Sequence, residues 1–225
     1  MKQVDNIRVV GIGGVGTHLV PPLCRFLSHQ KSTARIMLLD GDTFAPENRS
    51  RQQFRGAGNK AEVVATELRE EFPTLVIEAK SRYITAENVS AYIPSGSIVF
   101  CCVDNNPSKK TISDHCLRLD DACLISGGNG YDDGSVSVHV RRKGKNATPP
   151  ITHLHPEIER PADKNPSELS CEELARLSSP QLIFANLTVA SQMLNAFWLF
   201  TEGKVVYSEM YFDLKTGAQR PVMRK

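Results

Sequence analysis

Residues 7–16 read Ile-Arg-Val-Val-Gly-Ile-Gly-Gly-Val-Gly, an apolar run that breaks into Gly11, Gly13, Gly14 and Gly16. A helix-compatible stretch follows through His29, with Leu19, Leu23 and Leu27 at helical spacing. Glycines between a strand and a helix let the backbone turn tightly and approach a ligand, and the helix N-terminus offers free N–H groups to a phosphate. The motif alone serves NAD and FAD enzymes as well as ATP users. Pro21 and Pro22 fall inside the helical stretch, which predicts a kink or a restart there.

Outward from this loop the chain alternates. Strands are expected at 36–39 (ending in Asp40), 75–79, 97–103 and 123–126, with helices at 60–72 and 107–119. That alternation predicts an α/β fold, a Rossmann-like doubly wound and mostly parallel sheet with ligands at the carboxyl ends of its strands. Residues 136–142 then alternate like a half-exposed antiparallel strand. The next stretch, rich in Pro, Asn, Asp and Glu, predicts a long crossover loop over 143–179, ordered in part by a partner. A core helix is expected over 180–200, with Phe184, Met193, Phe197 and Trp198 in the core rather than at a dimer interface. A closing strand at 205–214 with a turn at Thr216-Gly217 completes a single domain spanning 1–225.

Composition narrows the function classes. With 40% hydrophobic and 23% charged residues the chain is an ordinary globular mix, and a net charge of +2 is too small to imply nucleic acid as the main partner. The densest basic cluster, Arg141, Arg142, Lys143 and Lys145, reads as a solvated strand end. No apolar run approaches the roughly 20 residues of a membrane span. The early first strand leaves no room for a signal peptide, so no membrane and a cytoplasmic location are expected. Cys24, Cys101, Cys102, Cys116, Cys123 and Cys171 form no CxxC pair and no disulfide scaffold. His153 and His155 lack matching ligands and read as surface residues rather than a metal site.

Asp40 ends a strand where an acid can accept hydrogen bonds from ribose hydroxyls, which serves a dehydrogenase equally well. The following loop does not. Residues 40–52 carry Asp42, Asn48, Arg49, Arg51 and Gln52, and Lys60 opens the next helix. Such cations suit a triphosphate, because they bind phosphate oxygens and offset charge on leaving pyrophosphate.

The combination of GxGGVG, Asp40-x-Asp42, Asn48 with Arg51-Gln52, Lys60, and Asp104-Asn105 after an apolar strand resembles the ThiF/MoeB/HesA family. The same fold forms the adenylation domains of ubiquitin-activating enzymes. The similarity covers roughly residues 7–200, and Ile125-Ser126-Gly127-Gly128 followed by Gly134 stands in family order. The C-terminal part, with Pro166-Ser167 before Cys171 and Tyr207 and Tyr211 beyond, is similar to ThiF-like proteins of mobile-element gene clusters.

The resemblance implies that Gly11, Gly13, Gly14 and Gly16 cradle ATP and that Asp40, with Asp42 beside it, binds the ribose side. It implies that Asn48, Arg51 and Lys60 contact phosphates and that Gln52 supports the loop. Asp104 would hold Mg²⁺, and Asn105 would position the nucleotide. Mg²⁺ favours a carboxylate with phosphate oxygens, although Asp104 or Asn105 before Pro107 also suits a helix N-cap. The implied reaction is adenylation of the C-terminal carboxylate of a ubiquitin-like or sulfur-carrier protein. A carboxylate is already a nucleophile, so positioning and charge stabilisation suffice. A homodimer or heterodimer is also implied.

The sequence departs from the family pattern in several places. No helix with a partner-reaching arginine fits before the first strand, where Arg49, Arg55 or a partner protein would have to substitute. The CxxC pairs of zinc-binding relatives are missing. Lys109 and Lys110 stand where an Arg is usual, losing its planar fork. Cys171 lies where covalent relatives carry a reactive cysteine, but Glu172 and Glu173 disfavour its thiolate. An NAD-dependent oxidoreductase, a non-catalytic subunit and an enzyme acting on a tRNA-bound group are the rival readings.

Overall fold

The computed structural model describes residues 4–52, 54–169 and 181–223. β1 (Asn6–Val10), β2 (Arg35–Leu39), β3 (Val76–Lys80), β4 (Ser97–Cys101) and β5 (Ala122–Asn129) are parallel. β6 (Asp133–Arg142), β8 (Glu209–Asp213) and β9 (Ala218–Val222) continue the sheet antiparallel, and the two-residue β7 (Lys145–Asn146) pairs with β6. The order is β3-β2-β1-β4-β5-β6-β8-β9. This is the Rossmann-like, mostly parallel sheet with antiparallel later strands that the alternation predicts. β1 is the centre from which the chain winds first one way, then the other.

Apolar side chains leave both faces of the sheet, as period-two alternation in a two-sided sheet requires. Ile7, Val9, Ile36, Phe100, Ile125 and Val138 bury on one face beneath α1 (Gly14–His29) and α2 (Lys60–Glu71). Val10, Leu39, Val99 and Leu124 bury on the other beneath α3 (Val89–Tyr92) and α4 (Asn106–Cys116).

α1 runs unbroken through Pro21 and Pro22, where a kink or restart is expected from sequence. Two prolines delete two helical N–H donors. The stripe Leu19, Val20, Leu23, Cys24 and Leu27 is buried on both sides of them, so packing holds the helix through the gap.

The expected loop over 143–179 also differs in its described part. It folds into β7, α5 (Ile151–Leu154), α6 (Pro156–Glu159) and a 3₁₀ turn at Pro166–Glu168. Ile151 and Ile158 are buried in the second core, and Asn165 donates to Ile84 O (3.0 Å) and Ser108 Oγ (3.1 Å). Four-residue helices opened by prolines carry too few turns to show a period.

The last helix, α7 (Ile183–Thr201), buries Val189, Ala190, Met193 and Phe197 in the first core. By length and composition (mean hydropathy 1.3) it could cross a membrane. Its buried face makes it a core helix here. The expectation that Phe184 and Trp198 join that core is not met: they stand 62% and 44% exposed, with Leu187 on the same uncovered side. An apolar helix that is hydrophobic almost all round gives no sequence signal for which face is inside.

Candidate functional site

Three strand ends stand level. Val10 pairs with Leu39 on one side and Cys101 on the other, so Gly11, Asp40 and the 102–104 segment leave the sheet together. Gly11 N donates to Leu39 O (2.9 Å) and Cys102 N to Val10 O (2.8 Å), fixing the crevice between the diverging connections.

The glycines have separate reasons to be glycine. Gly11 has φ +91°, and a Cβ there would lie 2.8 Å from the Cys102 carbonyl carbon. A Cβ on Gly16 would strike Gly11 O at 2.1 Å, and one on Gly14 would meet the Asn186 amide nitrogen at 2.3 Å. Of the four, only Gly13 faces room, with Gln52 Nε2 at 3.7 Å from an added Cβ. The resemblance makes all four a nucleotide cradle. Here Gly14 meets α7, Gly16 closes the loop, and Gly13 turns its bare face to the crevice.

Asp40 is buried and accepts from Ile12 N (2.5 Å) and Asp42 N (2.8 Å). Burial pushes its carboxyl up from 3.8 to about 6, with Asp42 adding to the rise and Lys60 opposing it. Lys60 Nζ sits 3.0 Å from Asp42 Oδ2 with its side chain 9% exposed, and Tyr83 Oη donates to the same carboxylate. The lysine is therefore seated on Asp42, not extended toward the crevice. Asn59 organises this corner: its oxygen caps α2 at Ala61 N (3.0 Å) and Glu62 N (3.2 Å), and its nitrogen holds Asp40 O and Asp42 O, each at 2.8 Å.

Asn48 accepts from Ala45 N (3.4 Å) inside the 3₁₀ turn Pro46–Ser50, and Arg51 Nη1 donates to Gln181 Oε1 (2.8 Å). Buried Gln52 Oε1 and Asn186 Oδ1 have no hydrogen-bond partner among the described residues. Asp104 is exposed just beyond β4, and Asn105 caps α4 by accepting from Ser108 N (2.9 Å). Among the described residues no group of three or more His, Cys, Asp and Glu is placed to hold a metal ion.

Cys24, Cys101, Cys102, Cys116 and Cys123 are buried and reduced, and burial pushes the Cys24 and Cys116 thiols up to about 12. Cys171 lies outside the described residues. The two histidines read as surface residues part company: His153 is exposed, but His155 Nε2 sits 2.9 Å from the buried Glu209 carboxylate and Nδ1 3.1 Å from Glu157. Sequence reasoning missed Tyr83, Gln181 and Asn186, which reach the site from afar. Asn59 alone was legible, as an N-cap residue directly before a helix.

Residues 2–203 match the ThiF family. The tRNA threonylcarbamoyladenosine dehydratase of Escherichia coli (strain K12) is 28% identical over 151 residues, 65% of this chain and 54% of that protein. The adenylyltransferase and sulfurtransferase MOCS3 of Drosophila yakuba is 30% identical over 139 residues, 60% of this chain and 29% of that protein. E. coli MccB, solved with ATP, superposes with a TM-score of 0.71 at 16% identity, over 96% of this chain and 63% of that one. The chain thus matches about half of the dehydratase and less than a third of MOCS3.

Proposed function

From the premise that the chain belongs to the ThiF family, we propose that it catalyses Mg²⁺-ATP-dependent adenylation of a polypeptide's C-terminal carboxylate, releasing pyrophosphate. The polypeptide is a ubiquitin-like or sulfur-carrier protein. One observation carries the reading: Gly11, Asp40 and the segment leading to Asp104 leave three adjacent parallel strands at one level, so a single nucleotide can meet all of them. The printed names of relatives point the same way, one an adenylyltransferase and one solved with ATP.

A substrate carboxylate oxygen bonds to the α-phosphorus as the bond to pyrophosphate breaks. Gly13 leaves room for the phosphates at the start of α1, and its helix N-terminus favours their charge. Asp40, once ionised, accepts from ribose hydroxyls. Arg51 would exchange Gln181 for a phosphate oxygen, and Asp104 would hold a Mg²⁺ that, when bound, supplies positive charge to the phosphates.

The test is ATP–pyrophosphate exchange with the small proteins encoded beside this gene, with an NADH fluorescence titration in parallel. Exchange that depends on one such protein supports the reading. NADH binding without exchange favours the rival reading of a nicotinamide-binding chain. A second stage at Cys171 rests on its sequence position: its thiolate attacks the acyl-adenylate, a thioester forms and AMP leaves. It requires a thiol-sensitive band on a non-reducing gel that Cys171→Ala loses and Cys116→Ala keeps. Exchange without that band removes the covalent stage and leaves adenylation standing.

A further inference from the structure

Arg51 is fixed at its backbone and held at its side chain by different parts of the chain. Arg51 N donates to Asn48 O (3.1 Å), and the His18 imidazole of α1 hydrogen-bonds to the Arg51 backbone. Only the side chain is left to move, and its Nη1 donates to Gln181 Oε1 at 2.8 Å. Gln181 stands two residues ahead of α7, and both side chains are half-buried.

A Cβ on Gly14, the first residue of α1, would lie 3.0 Å from that Gln181 oxygen. The oxygen therefore rests against the first turn of a 16-residue helix and accepts from a guanidinium there. No described side chain caps this helix at Gly13, and free N–H groups beside an arginine suit a phosphate oxygen. Gln181 thus sets a neutral acceptor on ground that favours an anion. The amide also has a second place to bond. Fully buried Asn186 packs on Gly14 beside it, with Nδ2 3.5 Å from Gln181 Oε1 and with an Oδ1 that has no hydrogen-bond partner among the described residues. Rotation of the Gln181 amide can give up Arg51 and find both a donor and an acceptor on Asn186, so no buried polar group is stranded.

Resting on the adenylation reading, we infer that Gln181 is a positioning residue that competes with pyrophosphate for Arg51. With ATP in place, Arg51 faces a phosphate oxygen and Gln181 turns to Asn186. Once the bond to pyrophosphate breaks, Gln181 Oε1 takes the Nη1 hydrogen bond back. The leaving group then loses a cationic partner, and its return is opposed. A neutral amide is a weaker partner for arginine than a phosphate oxygen, so ATP, held also at its ribose, still enters. The AMP half of the product does not depend on Arg51.

Calorimetry with Mg²⁺-ATP, pyrophosphate and AMP tests this on the wild type, Gln181→Ala and Gln181→Glu, each also in an Arg51→Ala background. Gln181→Ala should bind ATP and pyrophosphate about tenfold more tightly, since Arg51 no longer has a competing partner. Gln181→Glu, which keeps the side chain's length and pairs its charge with Arg51, should bind both at least about tenfold more weakly. AMP affinity should stay within about twofold of wild type in either variant, and neither change should affect ATP once Arg51 is alanine. The pyrophosphate concentration giving half-maximal exchange should follow the same order. Weaker or unchanged ATP binding by Gln181→Ala overturns the inference, as does an equal change for AMP or an effect that persists without Arg51. Should the alanine variant misfold, unchanged ATP binding by Gln181→Glu overturns it as well. Exchange reports separately on the reaction. Exchange with no gain in Gln181→Ala leaves adenylation standing, whereas the gain without exchange keeps the competition and removes adenylation. If neither the wild type nor Gln181→Ala binds ATP or pyrophosphate, the inference falls.

Discussion

Between about pH 4 and 6, Asp40 holds a proton in the fold that the unfolded chain has already released. Its carboxyl lies near 6 instead of 3.8, chiefly because burial disfavours the charge. That contribution to stability is fully present below about pH 4 and is lost as pH rises through about 6. Asp40→Asn, which cannot ionise, should therefore gain on the wild type by about 2 kcal/mol between pH 4.5 and 7.5. Melting of both proteins across that range checks it, and a difference that stays flat with pH refutes the shift. The neighbouring glycines divide more sharply. Gly14→Ala places a Cβ 2.3 Å from the Asn186 amide and should cost about 1–3 kcal/mol by overpacking the α1–α7 contact. Gly13→Ala meets only Gln52 at 3.7 Å, so it should melt within about 1 kcal/mol of wild type yet bind ATP at least about tenfold more weakly. Calorimetry and thermal melts separate the two, and equal ATP losses would show that the loop acts as one unit.

At the scale of elements, Asn59 is both a helix cap and the clasp of the loop after β2. Asn59→Asp retains the acceptor that caps Ala61 and Glu62 but loses the donors to Asp40 O and Asp42 O. Asn59→Ala loses both. The alanine variant should be the less stable by about 1 kcal/mol, the value of a cap, while ATP affinity falls in both. Unchanged ATP affinity in the aspartate variant would detach the loop from the site. The elements themselves were largely legible. β1, β2, β4 and α2 carry strict periods, and their bounds fall within a residue or two of those expected. α1 was misjudged because the rule about Pro21 and Pro22 is local, whereas the buried Leu19–Leu27 stripe that overrides it is tertiary. The uncovered side of α7 was hidden because Phe184 and Trp198 are as apolar as the residues that point inward.

Across the whole molecule, the candidate site was readable where one segment supplies both element and chemistry, as with Gly11, Asp40 and Asp104 at strand ends. It was unreadable where distant segments meet. Gln181 reaches Arg51 across 130 residues of sequence, and His155 finds Glu209 on a strand the chain forms much later. The crevice predicts that Asp104→Ala keeps its fold but loses at least about a hundredfold in pyrophosphate exchange, several kcal/mol of charge stabilisation. Wild-type exchange by that variant would dismiss the metal role. The central position of β1 has a consequence for how the chain is made. Its first neighbour, β2, ends at Leu39, but its second, β4, is complete only at Cys101. At roughly 5–20 residues per second, about 60 further residues keep a ribosome busy for several seconds. Through that interval the buried heart of the finished sheet is a bare, apolar edge, open to pairing with any other nascent strand. The hazard that this topology creates thus falls in the middle of synthesis, while β1 waits for β4.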